Sequence, residues 1–286
     1  MSESLSIVIP SKNEEKGLAV LLPELRAQYP AAEIIVVDDG SVDDTVGVCK
    51  ENQVKVVSHP YSMGNGAAVK TGARVANNDI LIFLDGDGQH DVNDIPKLLS
   101  ELDKGFDMVV GARHGSTHTN IGRWGANAIY SRLASWMVGR KIEDLTSGFR
   151  ATRAKKFREF LYLLPNGFSY PTTITMSFFR AGYPVGYVPI HARARHGKSH
   201  IRPIRDGVRF LVIIFRVGTL YSPLKLFGPI SVMFFFLGLG YYLYTYLTAS
   251  RFTNMSALLL TTSILVFLIG LVSEQITNLL YTRKSE

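Results

Sequence analysis

Two stretches of this chain, Leu226–Leu247 and Ala257–Ser273, contain no Asp, Glu, Lys or Arg, and no other feature restricts the fold so strongly. The first has 22 residues and reaches about 33 Å as a helix, enough to cross the hydrocarbon core of a bilayer. The second attains a similar length if it continues through Glu274 to Leu280. Phe234-Phe235-Phe236 and the cluster Tyr241, Tyr242, Tyr244 and Tyr246 suit a lipid-facing surface with an interfacial belt better than two buried helices of a soluble core. Two transmembrane helices are therefore expected.

Basic residues set their orientation. Arg209, Arg216 and Lys225 precede the first span, Arg283 and Lys284 follow the second, and the connecting loop holds only Arg251. Both ends should be cytoplasmic. Met-Ser-Glu-Ser runs directly into an apolar strand-like segment, without the basic and apolar regions of a signal peptide, so the large domain is expected to stay on the cytoplasmic face of the inner membrane. Cys49 is alone, which fits a reducing compartment and leaves no Cys-based zinc site.

The net charge of +7 is concentrated: His191 to Lys225 carries eight Lys or Arg against Asp206 alone, an excess equal to that of the whole chain. Arg202, Arg205, Arg209 and Arg216 recur at helical spacing, with Ile204, Val208, Leu211, Val212, Phe215 and Leu220 mostly on another side. This reads as an interfacial amphipathic helix on anionic membrane lipids. Nucleic-acid binding, the rival for any basic patch, lacks an aromatic-interleaved reader motif, and no nucleic-acid partner is expected. The expected organisation is a cytoplasmic domain over 1–200, a juxtamembrane amphipathic helix over 201–224, and a two-helix transmembrane hairpin with a short cytoplasmic tail over 225–286. His114 to Gly125 is the one linker-like, turn-rich stretch.

Within the large domain the pattern alternates. Strands are predicted at Leu5 to Ile9, Ile34 to Val37, Val54 to Val57 and Ile80 to Leu84, and helices at Asn13 to Gln28, Asp43 to Glu51 and Ala67 to Ala76. Such alternation implies an α/β fold with a mainly parallel sheet covered on both faces. Ligands of such sheets bind at the carboxyl ends of the strands. Asp38-Asp39 and Asp85-Gly86-Asp87 fall at two of these ends, so they should share one crevice.

The run Asp85-Gly86-Asp87-Gly88-Gln89-His90 is the strongest chemical signal. Two carboxylates one residue apart at the end of a buried strand repel unless a cation or proton compensates. Hard oxygen ligands select Mg²⁺ or Mn²⁺, ions that also neutralise a departing diphosphate. The seven histidines are scattered without a metal-ligand spacing, and His90 reads as structural. Asp91 and Asp94 read as acids at a helix start. Phe168 to Gly182 is compatible with a lipid-facing helix or with ordinary core, and Glu274-Gln275 with an interfacial or intersubunit hydrogen bond.

Ile9-Pro10 with Asn13-Glu14, Val37-Asp38-Asp39-Gly40-Ser41, Gly64 to Ala68, Asp85 to His90, Gly111-Ala112-Arg113, Thr146-Ser147-Gly148-Phe149-Arg150 and Arg195 to Ser199, in this order and spacing, resemble glycosyltransferase family 2, in its dolichol-phosphate mannose synthase and bacterial polyprenyl-phosphate glycosyltransferase branch. The resemblance implies a GT-A fold, Rossmann-like with a mainly parallel sheet, followed by the interfacial and transmembrane helices. It implies nucleotide-binding positions at Pro10, Asn13, Glu14, Asp38, Asp39, Gly66 and Asp85, and metal ligands at Asp85, Asp87 and Gln89. Arg113, Arg123 and the Arg195–Ser199 segment are similar to family positions that bind diphosphate or lipid phosphate, and Arg113, Arg123, Asn127, Arg195 and Ser199 are assigned to the acceptor phosphate, with Asp87, Arg113, Arg123 and Arg195 central to catalysis. Lys12 and Asn65 depart from the family, which often has Tyr at the first position and a basic residue at the second.

The expected partners are a UDP- or GDP-linked sugar as donor and undecaprenyl or dolichyl phosphate as acceptor, with Mg²⁺ or Mn²⁺ as cofactor. A phosphate monoester, with a second pKa of about 6, is already largely ionised near neutrality, so an inverting displacement by its oxygen needs no general base. A hydroxyl acceptor would need one. The alternatives are a processive or hydroxyl-acceptor membrane glycosyltransferase, whose Gln-x-x-Arg-Trp motif is represented only by Arg123-Trp124, and a catalytically silent assembly partner. Gly238, Gly240, Gly270 and Glu274 give the spans small and polar residues for packing, so a homo-oligomer is expected, and the resemblance implies a tetramer.

Overall fold

The computed structural model describes residues 5–113, 131–167, 170–190, 212, 215 and 218–282. The chain divides into two compact units, Met1–Ile201 and Arg202–Glu286. The basic stretch from 191 to 211 and the linker-like stretch from 114 lie outside the described residues.

In the first unit β1 (Leu5–Ser11), α1 (Glu15–Gln28), β2 (Glu33–Asp38), α2 (Thr45–Glu51), β3 (Lys55–Ser58), α3 (Asn65–Val75) and β4 (Ile80–Phe83) alternate. After α4 (Ile95–Leu102) come β5 (Met108–Arg113) and a helix, α5, over residues 131–138. Then follow β6 (Arg150–Arg153), α6 (Ala154–Arg158), α7 (Tyr170–Arg180) and β7 (Val185–Ile190). The described strands form one seven-stranded sheet in the order β3-β2-β1-β4-β6-β5-β7. Only β6 runs against its neighbours, β4 and β5.

The strands are apolar on both faces because both are covered. Ile7, Ile9, Ile34, Val36, Ile80 and Ile82 bury against Leu18, Leu21, Leu22 and Leu25 of α1 and Ile95, Leu98 and Leu102 of α4. Val8 and Val37 point the other way, under α3, where a Cβ on Gly72 would overlap the Val8 side chain. The α1 helix also presses on the turn after β4, since a Cβ on Gly17 would overlap the Gly86 carbonyl oxygen. Residues 170–178 are all buried, with Phe178 packed on Phe160 and Tyr183. The segment around α7 is therefore core of the first unit and not a lipid-facing helix. Asp91 accepts from Asn93 N at 2.9 Å, and Asp94 at the start of α4 pairs with Lys97, which matches the helix-start reading.

In the second unit α8 (Pro223–Ala249) and α9 (Asn254–Thr282) form a hairpin. Both are long and apolar enough to cross a membrane, and their most apolar windows are only 11% and 17% buried, unlike core helices of a soluble protein. Their contact stripe is small and polar. Ser231 Oγ donates to Ser263 O and Ser263 Oγ to Ser231 O, each at 2.9 Å, and Gly238 and Gly270 admit Leu260 and Phe227. Glu274 Oε2 accepts from Leu224 N at 3.3 Å, where the first turn of α8 lacks intrahelical acceptors. At least one hydrogen bond of Glu274 is thus within the chain, not between subunits.

Gly17→Ala should force α1 away from the Gly86 backbone, at a cost of about 1–3 kcal/mol for an overpacked contact. A lower thermal midpoint is expected, together with reduced turnover because the acidic turn moves. Unchanged melting and turnover would show that this contact does not fix the turn.

Candidate active site

The carboxyl ends of β1, β2, β4 and β5 lie along one edge of the sheet, and antiparallel β6 starts there, Arg150 pairing with Phe83 and Val110. The loop before β6 consequently comes to the same edge as the acidic turn. Asp85, Asp87, Gln89, Arg113 and the Thr146–Arg150 motif are brought together by topology rather than by nearness in the chain.

Two loops at the carboxyl ends of β1 and β2 are tied to each other. Asn13 N donates to Ser41 Oγ at 2.9 Å, Val42 N to Asn13 Oδ1 at 2.9 Å, Glu14 N to Thr45 Oγ1 at 3.1 Å and Glu15 N to Asp43 Oδ2 at 3.2 Å. The first N–H groups at α1 are thus satisfied by side chains of the next βα loop, a role usually taken by a local cap. Asp38 Oδ1 accepts from Ser41 N at 2.9 Å. Asn13, Glu14 and Asp38 therefore lie in one bonded group of loops, with Pro10 paired to Val37 beside Asp38, and a Cβ on Gly86 would lie 3.5 Å from Glu14 Cβ, which joins the acidic turn to it.

Asp39, next to Asp38, is buried. Its carboxylate accepts from His59 Nδ1 at 2.8 Å, Met63 N at 2.7 Å, Ser62 Oγ at 2.8 Å and Gly64 N at 2.9 Å. Burial opposes the charge, but these four donors hold the carboxyl below the usual aspartate range. Asp39 is thus the anchor of the loop leading to α3. Gly64, at φ 102°, requires its residue type. A Cβ on Gly66 would overlap the Pro165 carbonyl oxygen, and Ala67 N donates to Asn166 O at 2.9 Å. The glycines of this loop make room for the 165–167 segment, and β3 ends at Ser58, so no strand feeds them directly.

The acidic turn is built tightly. Asp87 Oδ1 accepts from Gln89 N at 3.1 Å, and Gly88 takes φ 69°, a left-handed conformation natural to glycine. Asp85 receives His90 Nε2 at 3.2 Å, with the His90 ring stacked on Phe149 at 5.0 Å. Gly148 lies over the carboxylate so closely that a Cβ would stand 2.7 Å from Asp85 Oδ2. Burial pushes the Asp85 carboxyl up, yet the His90 hydrogen bond and the charges of Arg113 and Arg150 outweigh it and hold the group below the ordinary range. Its side chain keeps 37% exposure.

Arg113 stands beside it. Its Nε donates to Asp144 Oδ2 at 2.8 Å, and Nη2 donates to Asp144 Oδ1 at 3.1 Å and Thr146 Oγ1 at 2.7 Å. Asp144 Oδ1 also accepts from Thr146 N at 2.9 Å and Ser147 N at 3.1 Å. Despite burial, the Arg113 and backbone bonds hold the Asp144 carboxyl low, and Asp144 holds the Arg113 cation. Beneath the loop Arg150, fully buried, bonds Ser147 O, Pro171 O and Thr175 Oγ1, while Tyr170 OH reaches Gly148 O at 3.3 Å.

Arg123, Asn127, Arg195 and Ser199 lie outside the described residues. Sequence reasoning missed Asp144, His59 and Tyr170. Asp144 was within reach, two residues before the Thr146–Arg150 motif; His59 and Tyr170 carry no local signal. Among the described residues no three His, Cys, Asp or Glu side chains converge as a metal cage, so an ion at the acidic turn would draw on the Gln89 amide oxygen, substrate oxygens and water besides the two aspartates, the usual habit of Mg²⁺.

The profile described as glycosyl transferase family 2 matches residues 6–161, and that of the GtrB C-terminal hairpin matches residues 222–279. Glycosyltransferase AglJ of Haloferax volcanii is 28% identical over 249 residues, covering 85% of this chain and 81% of that protein. A dolichyl-phosphate hexose transferase of the same organism is 28% identical over 209 residues, 72% of this chain and 90% of its own. An undecaprenyl-phosphate mannosyltransferase of Micrococcus luteus is 29% identical over 201 residues, 64% of this chain and 81% of its own. Glucosyl-3-phosphoglycerate synthase of Mycobacterium tuberculosis, crystallised with Mn²⁺, uridine diphosphate and glucosyl-3-phosphoglycerate, shares the fold with a TM-score of 0.60 at 22% identity over 76% of this chain and 79% of that one.

The depressed Asp39 and Asp144 carboxyls predict a pH dependence. Each stabilises the folded state above the unfolded aspartate pKa of about 3.9, and that contribution is lost as pH falls through the lower folded value, because the unfolded chain binds the protons first. The melting temperature of the full-length protein in detergent should fall as pH drops below about 4, and Asp39→Asn should flatten the decline. An equally steep decline in that variant would contradict the role given to Asp39.

Proposed function

Because the chain belongs to glycosyltransferase family 2, we propose that it transfers a hexosyl group, with inversion, from a UDP- or GDP-linked sugar to a polyprenyl phosphate such as undecaprenyl or dolichyl phosphate. The observation that carries this reading is the placement at one sheet edge of the Asp85–Asp87 turn and of an Arg113 fixed by Asp144, in a chain whose other unit is an apolar hairpin. An arginine fork suits a phosphate, and an apolar hairpin suits an acceptor that resides in a bilayer. The relatives named for dolichyl and undecaprenyl phosphate point the same way.

The chemistry follows from the side chains. Pro10, Asn13, Glu14 and Asp38 form the surface for the nucleoside, with Asp39 and Gly66 setting the loop beside it. Asp85, Asp87 and Gln89 offer only oxygen ligands, a set that fits Mg²⁺ or Mn²⁺. When bound there, such an ion neutralises the departing diphosphate. Arg113, with Arg123, Asn127, Arg195 and Ser199, receives the acceptor phosphate. Asp91 and Asp94 are engaged with Asn93 and Lys97, and a phosphate acceptor with a second pKa of about 6 needs no base. Its oxygen attacks the anomeric carbon, the bond to the diphosphate breaks, and one displacement inverts the centre. The two apolar helices and the matched hairpin make this a membrane-associated protein. In this reading the catalytic domain and both termini are cytoplasmic, the basic stretch from 201 to 224 rests on membrane lipids, and the hairpins assemble a homo-oligomer, with a tetramer the expected form.

Asp87→Asn should lower transfer by about 10²–10³-fold without unfolding the protein, and wild-type turnover by that variant in EDTA would remove the metal from the mechanism. The product from an α-linked donor should be a β-linked sugar monophosphate lipid by NMR. Retention, or a diphosphate-linked product, would overturn the reaction assigned.

A further inference from the structure

The Arg113 guanidinium has five N–H donors, and three are committed: Nε and one Nη2 hydrogen to Asp144, the other Nη2 hydrogen to Thr146 Oγ1. Among the described residues Nη1 has no hydrogen-bond partner. The Arg113 side chain is 26% exposed while that of Asp144 is 3% exposed, so the edge that bonds Asp144 is held against a buried carboxylate while the side chain as a whole stays accessible. A free arginine side chain samples many rotamers, and ordering it on ligand binding costs entropy. Here that ordering is built into the fold.

We propose that Asp144 is a positioning residue for the acceptor: it fixes Arg113 so that Nη1 is presented in advance to the incoming phosphate. This rests on the polyprenyl-phosphate reading above. The carboxylate also keeps Arg113 from turning to Asp85, whose charge acts on the same guanidinium. Asp85 thereby remains available to the donor side, and donor and acceptor are served by separate charges along one edge. Thr146 completes the clamp, and Asp144 secures Thr146 and Ser147 through their backbone N–H groups, so the part that fixes Arg113 and the loop over Asp85 share one anchor.

Asp144→Asn separates these roles. An amide oxygen in place of Oδ1 still accepts from Thr146 N and Ser147 N, whereas an NH₂ group in place of Oδ2 meets the Arg113 Nε–H donor to donor. The full-length enzyme in detergent, assayed with undecaprenyl phosphate and the nucleotide-sugar that the wild type accepts, should show KM for the lipid raised about tenfold or more. The KM for the nucleotide-sugar and the dissociation constant of the nucleoside diphosphate should stay within about twofold, a ΔΔG below roughly 0.5 kcal/mol. Arg113→Gln should raise the lipid KM as well, and adding Asp144→Asn to it should have no further effect, because Asp144 acts through Arg113. Asp144→Glu, which retains the charge, should recover part of the lipid affinity.

Additive effects of the two substitutions, or an unchanged lipid KM in Asp144→Asn, would overturn the positioning role while leaving the transfer reaction intact. A rise confined to the nucleotide-sugar KM would overturn it too, by assigning Arg113 to the donor diphosphate. Loss of nucleotide binding along with transfer would show that Asp144 holds up the fold and nothing more. A wild-type enzyme that transfers to no polyprenyl phosphate from any nucleotide-sugar would sink the functional reading itself, and this proposal with it.

Discussion

An ionised Asp85 tucked under backbone is the constraint around which the first unit is arranged. Removing water from a carboxylate is unfavourable unless charges and donors replace it. His90 supplies a donor at 3.2 Å, and Arg113 and Arg150 supply positive potential. These cations need support in turn. Arg113 is held by Asp144. Arg150, with no carboxylate in hydrogen-bonding contact among the described residues, spends its donors on carbonyl oxygens and Thr175. The result is an alternation of charge along the sheet edge, Asp144, Arg113, Asp85, in which removing one member leaves a neighbour uncompensated. Breaking such a buried pair is far more disruptive than never having had it.

Close backbone approach is what lets this network exist. Gly148 over Asp85, Gly86 beside Ser11, Gly17 against Gly86 and Gly66 against Pro165 each occupy space that a Cβ would fill. These contacts couple the β1–α1 loop, the acidic turn and the loop before β6 into one packed group. A shift in α1 is therefore felt at the acidic turn, and a shift in the loop before β6 is felt at the Asp85 carboxylate. Asp39 performs the same service on the far side by gathering Ser62, Met63, Gly64 and His59.

The alternating architecture was legible because its causes are local. Hydrophobic periodicity and turn residues placed the strands and helices through β4 to within a few residues, and the carboxyl-end rule put Asp38-Asp39 and Asp85-Asp87 at one edge. The Arg113–Asp144 clamp was not legible, since its two residues lie 31 positions apart and meet only because β6 runs antiparallel. The His59–Asp39 pair spans 20 positions and depends on a loop course that no local pattern encodes. The segment around α7 was ambiguous for a different reason. Its Thr- and Phe-rich composition suits either membrane interface or core, and only packing on Phe160 and Tyr183 decides. Gly66, a nucleotide position in the resemblance, and Gly64 have a steric reason that no local pattern shows, the close approach of the 165–167 backbone.

Polar chemistry in the hairpin follows from its solvent. In an apolar medium an unsatisfied hydroxyl or N–H has no water to turn to, so Ser231 and Ser263 satisfy each other's helix and Thr245 bonds back to Tyr241 O and Tyr242 O. Glu274 is the one acidic residue in either span, and it meets an N–H at the first turn of α8, where the helix dipole favours negative charge. A charged residue within an apolar span usually marks an ion path or relay. Here the carboxylate closes the open end of a neighbouring helix, and that use requires a hairpin of fixed register. The Ser231–Ser263 pair, 32 positions apart, and the Leu224–Glu274 pair, 50 positions apart, clasp the two helices at separate levels, so sliding one helix along the other would break both.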